Sequence, residues 1–412
     1  MATQLNDWLS IDKASGTGNA QITLTASSYG ELVDRVASLK IQAQSTNAIL
    51  NVRQKAFSPV EKNNNYFWIE FENTGGEVDG LGKSWTDIYY SFDANTWTSV
   101  DSTGVVSLGT NRLVYLKNET KILTDGYDEV NDVFKHTAIK FNSSAKIGGD
   151  LSSMTDMIGD CCVSLFEGNK YLTDASELIL PWDTLANNCF YHMFYNCTSL
   201  TSAPALPATT LAVDCYTVMF RGCTSLTTAP ELPATTLARG CYYHMFYNCT
   251  SLTSAPALPA TTLAEYCYTY MFYNCTSLTS APVLPATTLG RYCYSGMFYN
   301  CTSLTSAPVL PATTLADSCY SYMFSNCTSL TTAPELPATT LANYCYRYMF
   351  QGCHKLNYIK MLATVWAKEP LTNWVQDVSS TGTFVKHPDN TSIPIDSVSG
   401  IPSGWTVETA TE

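Results

Sequence analysis

Residues 267–289 read Cys-Tyr-Thr-Tyr-Met-Phe-Tyr-Asn-Cys-Thr-Ser-Leu-Thr-Ser-Ala-Pro-Val-Leu-Pro-Ala-Thr-Thr-Leu, and the same string, lightly edited, fills the chain on either side of them. Its first cysteine falls at Cys189, Cys215, Cys241, Cys267, Cys293, Cys319 and Cys345, a step of 26 residues each time. A fixed period of that size marks a solenoid, because one such unit cannot bury its apolar face alone and copies have to stack. The stack presents a long, regular surface, which suits binding better than catalysis.

Within one unit, Leu263, Cys267, Met271 and Cys275 stand four apart. At about 100° per residue this makes a buried helical stripe, widened by Tyr268 and Phe272, with Thr261 or Thr262 as N-cap and Pro259 just upstream. A helix is therefore expected here. The next stretch, Ser277 to Pro285, reads as extended. Pro282 and Pro285 lack N–H groups, so any parallel ladder is expected to be short and to end near Ala281. Of the 16 cysteines, fourteen occupy two repeat columns and the others are Cys161 and Cys162. Two cysteines eight apart on a helix lie about 12 Å apart along its axis, too far for a disulfide. Zinc-type spacings are missing. The thiols are read as free, buried core residues, and no metal or cofactor is expected.

Comparison of the copies within this chain locates their differences at the positions of Glu265, Tyr266, Thr269, Tyr270 and Tyr273. On a helical wheel these lie opposite the Leu-Cys-Met stripe. Drift of solvent-facing positions is one explanation. Against it, the positions are rich in Tyr with His and Arg, residues that recognition surfaces favour. The candidate ligand-binding set is Tyr191, His192, Tyr195, Arg221, Tyr243, His244, Tyr247, Tyr266, Tyr270, Tyr273, Tyr292, Tyr299, Tyr322, Tyr344, Arg347 and Tyr348. His192 and His244 are read as face residues, not metal ligands. Replacing Tyr247, Tyr273 and Tyr299 with Ser is expected to weaken binding and leave stability nearly unchanged.

The whole chain sets wider bounds. Its 412 residues exceed one compact core, and the formal charge of −13 argues against nucleic acid or an anionic membrane surface. No run is long and apolar enough to insert in a membrane. The start, Met1-Ala-Thr-Gln-Leu-Asn-Asp-Trp8, carries no secretory signal; the simpler reading is a protein used without export, the other a trimmed mature chain. Residues 1–57 alternate as strands around Gln21–Thr25, Ala37–Gln42 and Ala48–Arg53, and residues 58–160 hold further strand-like runs from Tyr66 to Leu116. Gly82-Lys83-Ser84 lacks the upstream glycine of a phosphate-binding loop, and the acidic run 125–132 lacks EF-hand spacing. Cys161–Asn169 aligns with Cys189–Cys197 as a degenerate capping copy with two extra residues before Pro181. No nucleophile or paired-carboxylate motif is found, so no enzyme is expected.

Two resemblances sharpen this. Trp8-Leu-Ser-Ile, Ser15-Gly-Thr-Gly-Asn and Arg35 to Val52 resemble the later half of a BACON domain, an immunoglobulin-like sandwich, whose missing strands imply an open edge completed by another chain. Met-Phe-x-Asn-Cys-Thr-Ser-Leu-Thr-x-Ala-Pro-x-Leu-Pro resembles BspA-type leucine-rich repeats, in which a helix-like turn precedes a short strand. The combination is similar to proteins of gut Bacteroidales and their crAss-like phages and implies adhesion. The expected architecture is multidomain: 1–57 a partial BACON-like sandwich serving as anchor, 58–160 a second immunoglobulin-like sandwich, 161–362 an α/β leucine-rich-repeat solenoid, and 363–412 a C-terminal cap. The first expectation is a phage virion fibre or decoration protein, homo-oligomeric, held by virion proteins through its N-terminal β region and offering the solenoid to a host-surface glycan or protein. The alternative is a bacterial cell-surface adhesin.

Overall fold

The computed structural model describes residues 62–81, 87–121, 138–366 and 369–411 in full, and the backbone of strands at 3–6, 9–11, 24–26, 35–43, 46–54, 127–128 and 133–134. The chain divides into two compact units, Met1–Lys62 and Asn63–Glu412. In the first, Thr3–Asn6, Leu9–Ile11 and Leu24–Ala26 form an antiparallel sheet. Arg35–Ala43 pairs antiparallel with Thr46–Gln54 from Arg35 opposite Gln54 to Ala43 opposite Thr46. The alternating runs at 37–42 and 48–53 lie inside that hairpin. The side chains of this unit, and with them the proposed open edge, lie outside the described residues, as do Gly82-Lys83-Ser84 and all of 125–132 save the backbone of Tyr127 and Asp128.

The second unit begins with a six-stranded sheet in the order Leu172–Ile179, Ala145–Asp150, Phe67–Phe71, Leu113–Asn118, Ile88–Ser91, Thr98–Ser99. Strict alternation sends Phe67, Ile69, Phe71, Val114 and Leu116 to the main core, and Trp68, Leu113 and Tyr115 to a small cluster on the other face. Gly148 lets Trp68 cross the sheet, since a Cβ there would lie 2.2 Å from the indole ring. A small second sheet joins Val106–Ser107, Glu77–Asp79 and Lys140–Phe141. The region is all-β. Its last strand, Leu172–Ile179, pairs parallel with Ala145–Asp150 and bridges through Asp174 to Ser202, so it is also the first strand of the solenoid.

The helix expected in each repeat is absent. From Ala264 to Cys275 the chain makes successive turns. The amides of Thr269, Met271, Tyr273 and Cys275 bond to carbonyls three residues back, at 3.1–3.2 Å. Those of Tyr266, Tyr268, Tyr270, Phe272 and Asn274 bond forward to Arg291, Cys293, Ser295, Met297 and Tyr299 of the next coil, at 2.8–3.1 Å. An α-helix closes its N–H groups on itself at i−4; here every second amide ties one coil to the next. The geometry needs a left-handed residue every four: Tyr266 (φ 58°), Tyr270 (φ 51°) and Asn274 (φ 57°). A four-residue turn period and the i, i+4 spacing of a helix coincide, so Leu263, Cys267, Met271 and Cys275 are buried as expected while the backbone that buries them is different. Among the described residues the one helical segment is the 3₁₀ turn Leu151–Ser153. The repeat is therefore a β-solenoid of turns and short bridges, not an α/β unit.

On the extended side of each coil, bridges such as Thr228 to Ser254 and Thr262 to Thr288 flank the proline pair. Between the two sides the core is a set of ladders. Phe166, Phe194, Phe220, Phe246, Phe272, Phe298, Phe324 and Phe350 stack at 5.4–5.8 Å, headed by Phe67 of the sheet at 5.9 Å and closed by Trp374 at 6.0 Å. Tyr216 to Tyr346 form a second stack. The sixteen cysteines are free and buried. In the second column each thiol donates one coil back, as from Cys275 Sγ to the Phe246 carbonyl at 3.1 Å.

The ends continue the same pattern. Ser164 bonds to Tyr191, 27 residues on, where a regular coil such as Tyr268 to Cys293 spans 25, which absorbs the two extra residues. Tyr348 and Phe350 bond forward to Thr372 and Trp374. Tyr358–Met361, Thr383–Lys386 and Thr406–Thr409 form a parallel sheet, so the tail adds further coils. One hydrophobic core runs from Phe67 to Trp405, through both positions, 160 and 362, at which boundaries were expected.

Candidate ligand-binding ridge

The outer side of the turn ladder carries the sequence-predicted set, each residue partly buried. Tyr247, Tyr273 and Tyr299 stack at 4.2 and 4.6 Å with planes within 7°. His192 lies against Tyr191 at 4.2 Å and Tyr195 at 4.9 Å, and His244 lies against Tyr243 at 3.9 Å and Tyr247 at 5.2 Å. Tyr270 meets His244 edge-on. Arg221 bridges coils, its guanidinium 5.7 Å from Tyr195 and 4.4 Å from Tyr247. Tyr299 leads through Tyr322 at 6.4 Å to Tyr348, over which Arg347 sits together with Tyr344. Fourteen of the sixteen residues thus form one connected ridge. Tyr266 and Tyr292 stack with each other at 5.0 Å, and Arg239, absent from the predicted set, lies over Tyr266 and pairs with Asp214 at 3.7 Å.

One variable column is split: it places Tyr191, Tyr243 and Arg347 on the ridge, but its small residues are buried. Thr217, Thr269, Ser295 and Ser321 are 4% exposed. Their hydroxyls reach the next coil: Thr217 donates to the Gly240 carbonyl at 2.7 Å and Ser321 to that of Arg347 at 3.2 Å. Where the column holds Thr or Ser, the outward position given by the helical wheel does not hold. Sequence reasoning also missed a side-chain ladder beside the tyrosines, in which Asn300 Nδ2 donates to Asn274 and Asn274 to Asn248, each at 2.5 Å.

The backbone beneath the ridge explains part of its composition. Three columns hold positive φ along the stack. The column of Asn274 contains Asn196, Gly222, Asn248, Asn300, Asn326 and Gly352, residues that tolerate that region. This Asn/Gly alternation is the sequence signal that distinguishes turns from a helix. The columns of Tyr266 and Tyr270 carry Gly240, Gly296, Asn188, Asp214, Ser318 and Val218, and in the other coils hold Tyr292, Tyr344, His192, His244, Tyr322 and Tyr348. For a bulky side chain this conformation costs about 1–2 kcal/mol relative to a right-handed one.

Burial, helped by Arg221, holds His244 down to about 4, and its Nε2 is buried with no hydrogen-bond partner. Burial and a hydrogen bond with Tyr247 push the Tyr273 phenol up to about 12. Neighbouring rings cover the faces of Tyr247, Tyr273 and Tyr299, so ring edges and phenol oxygens are what these side chains leave for contact. Among the described residues no group of three or more His, Cys, Asp or Glu side chains could hold a metal, and no helix is long and apolar enough to cross a membrane. No curated protein and no solved structure matches the chain. A family of repeats does match, in six copies, over residues 185–331 and 242–367. The turn ladder and its tyrosine ridge therefore lie in a BspA type leucine rich repeat region.

Proposed function

We propose that the protein is a bacterial cell-surface adhesin whose repeat ridge binds a glycan or protein on an opposing surface, without catalysing a reaction. The observation that carries this reading is the row of Tyr and His side chains held at left-handed positions where other coils place Gly. Residues kept at a cost in backbone energy concentrate at functional sites. Tyr and Arg also supply large contact areas at low entropic cost. The repeat match favours the bacterial surface over the phage virion, which stood first among the expectations from sequence. The N-terminal unit is then the part that anchors or spaces the repeats.

The test compares the full chain with the variant Tyr247→Ser, Tyr273→Ser, Tyr299→Ser for retention on a glycan array and on host epithelial cells before and after periodate treatment. A loss of about tenfold or more in retention is expected. Equal retention of the two proteins would overturn the ridge as the binding site. Immunogold labelling of intact bacteria, set beside mass spectrometry of purified virions, separates the two locations.

A further inference from the structure

The extended side of the coils carries a second surface, distinct from the ridge. Its outermost column runs Ala205, Glu231, Ala257, Val283, Val309, Glu335 and then Lys360, which takes the next place because Leu336 is bridged to Met361. Val283 and Val309 are 79% and 76% exposed, more than any other large apolar side chain among the described residues. Proline rows flank the column and leave shallow grooves of about 500 Å³ beside Glu231 and about 320 Å³ beside Val283. Since the aromatic core lies between the two sides of each coil, this face points away from the tyrosine ridge.

We infer that this face is an interface between two copies of the chain, packed antiparallel about a two-fold axis between Val283 and Val309. A two-fold contact must be self-complementary, and the order of residues along the column meets that condition. With the axis there, Val283 of one copy meets Val309 of the other. Ala257 meets Glu335, and Glu231 meets Lys360. Lys360 already pairs with Glu335 at 2.9 Å, so in the dimer it lies between two carboxylates. Shifting the register by one coil would oppose Glu231 to Glu335 and set Val283 against itself. The seven coils of this column, at about 4.8 Å each and about 13 Å of extended chain, present roughly 440 Å² per copy, or roughly 870 Å² in all, which is the size of a weak, concentration-dependent association. Val, Ala and Pro have little rotamer freedom to lose on docking. The dimer points two tyrosine ridges in opposite directions, giving a bivalent molecule.

Sedimentation velocity of the full chain between 1 and 100 µM tests this, with circular dichroism as the folding control. Dimer is expected to grow with concentration over about that range. The variant Val283→Lys, Val309→Lys is expected to be monomeric throughout. Glu231→Lys and Lys360→Glu should each weaken association about tenfold, and the two together should restore it. In Val283→Cys, Val309→Cys, the cross-link recovered by peptide mass spectrometry should join position 283 of one chain to 309 of the other. A wild-type monomer at 100 µM, a dimer unaffected by the two lysines, or cross-links joining each position only to its own counterpart would overturn the inference.

Discussion

Two stacks of tyrosine run along the same coils and behave differently. The inner stack, Tyr216 to Tyr346, is buried against the phenylalanine ladder with rings 5.8–6.0 Å apart. The outer rings, Tyr247, Tyr273 and Tyr299, close to 4.2 and 4.6 Å because nothing outside them holds them apart. The inner column is Tyr in six successive copies, while the outer column also accepts Arg221, Ser325 and Gln351. The same side chain is thus a packing element in one place and a replaceable surface group in the other.

Breaking the inner stack should have the largest effect. Tyr268→Ala removes a ring from a close-packed core and is expected to cost about 3–5 kcal/mol, read as a fall in the denaturation midpoint. The outer triple change to Ser is expected to cost about 1–3 kcal/mol in all, from two stacked pairs at about 0.5–1.5 each. That revises the expectation from sequence that stability would be nearly unchanged; a midpoint equal to wild type would show the outer stacking to be energetically silent. Asn274→Ala places a Cβ-bearing residue without local hydrogen bonding at φ 57° and cuts the asparagine ladder. It should cost about 1–2 kcal/mol, and Asn274→Gly should cost less. If Ala and Gly prove equal, the turn geometry is not what selects this column.

The smallest effect should be a pH dependence. The folded state holds His244 at about 4, while the unfolded chain protonates it near 6.5. The stability contributed by the neutral imidazole is present above about pH 6.5 and is lost as pH falls towards about 4, because the unfolded state takes up the proton first. With the side chain only partly shielded from solvent, a loss of roughly 1 kcal/mol is expected across that window. His244→Asn keeps a residue suited to positive φ and should flatten the dependence; an unchanged pH profile would assign it to other groups.

The period, the buried Leu, Cys, Met and Phe columns, the free thiols and the tyrosine-rich face were all legible in the chain, because each is a statement about which residues recur every 26 positions. The secondary structure was not. A spacing of four fits both a helix and a ladder of four-residue turns, and the choice between them rests on Asn and Gly in the Asn274 column and on Asn188, Asp214 and Gly240 in the Tyr266 column. The extent of the core was also hidden. The strand Leu172–Ile179 belongs at once to the N-terminal sheet and to the first coil, and Trp374 continues the phenylalanine ladder from outside the regular repeat. Such sharing leaves no break in composition for a reader of sequence to find.

The forward bonds on the turn side all run one way, from an amide in one coil to a carbonyl in the next. In a mixed sheet strand dipoles largely cancel, but here they add along the solenoid axis as they do in a helix. The carbonyl pole lies at the first coil, where the Leu165 carbonyl accepts from the Ile139 amide at 2.8 Å and that of Glu167 from the Lys140 ammonium. The amide pole lies at the last turn run, bracketed by exposed Glu369 and Asp377. The solenoid is in this sense a polar rod with a cation at its negative end and carboxylates at its positive one.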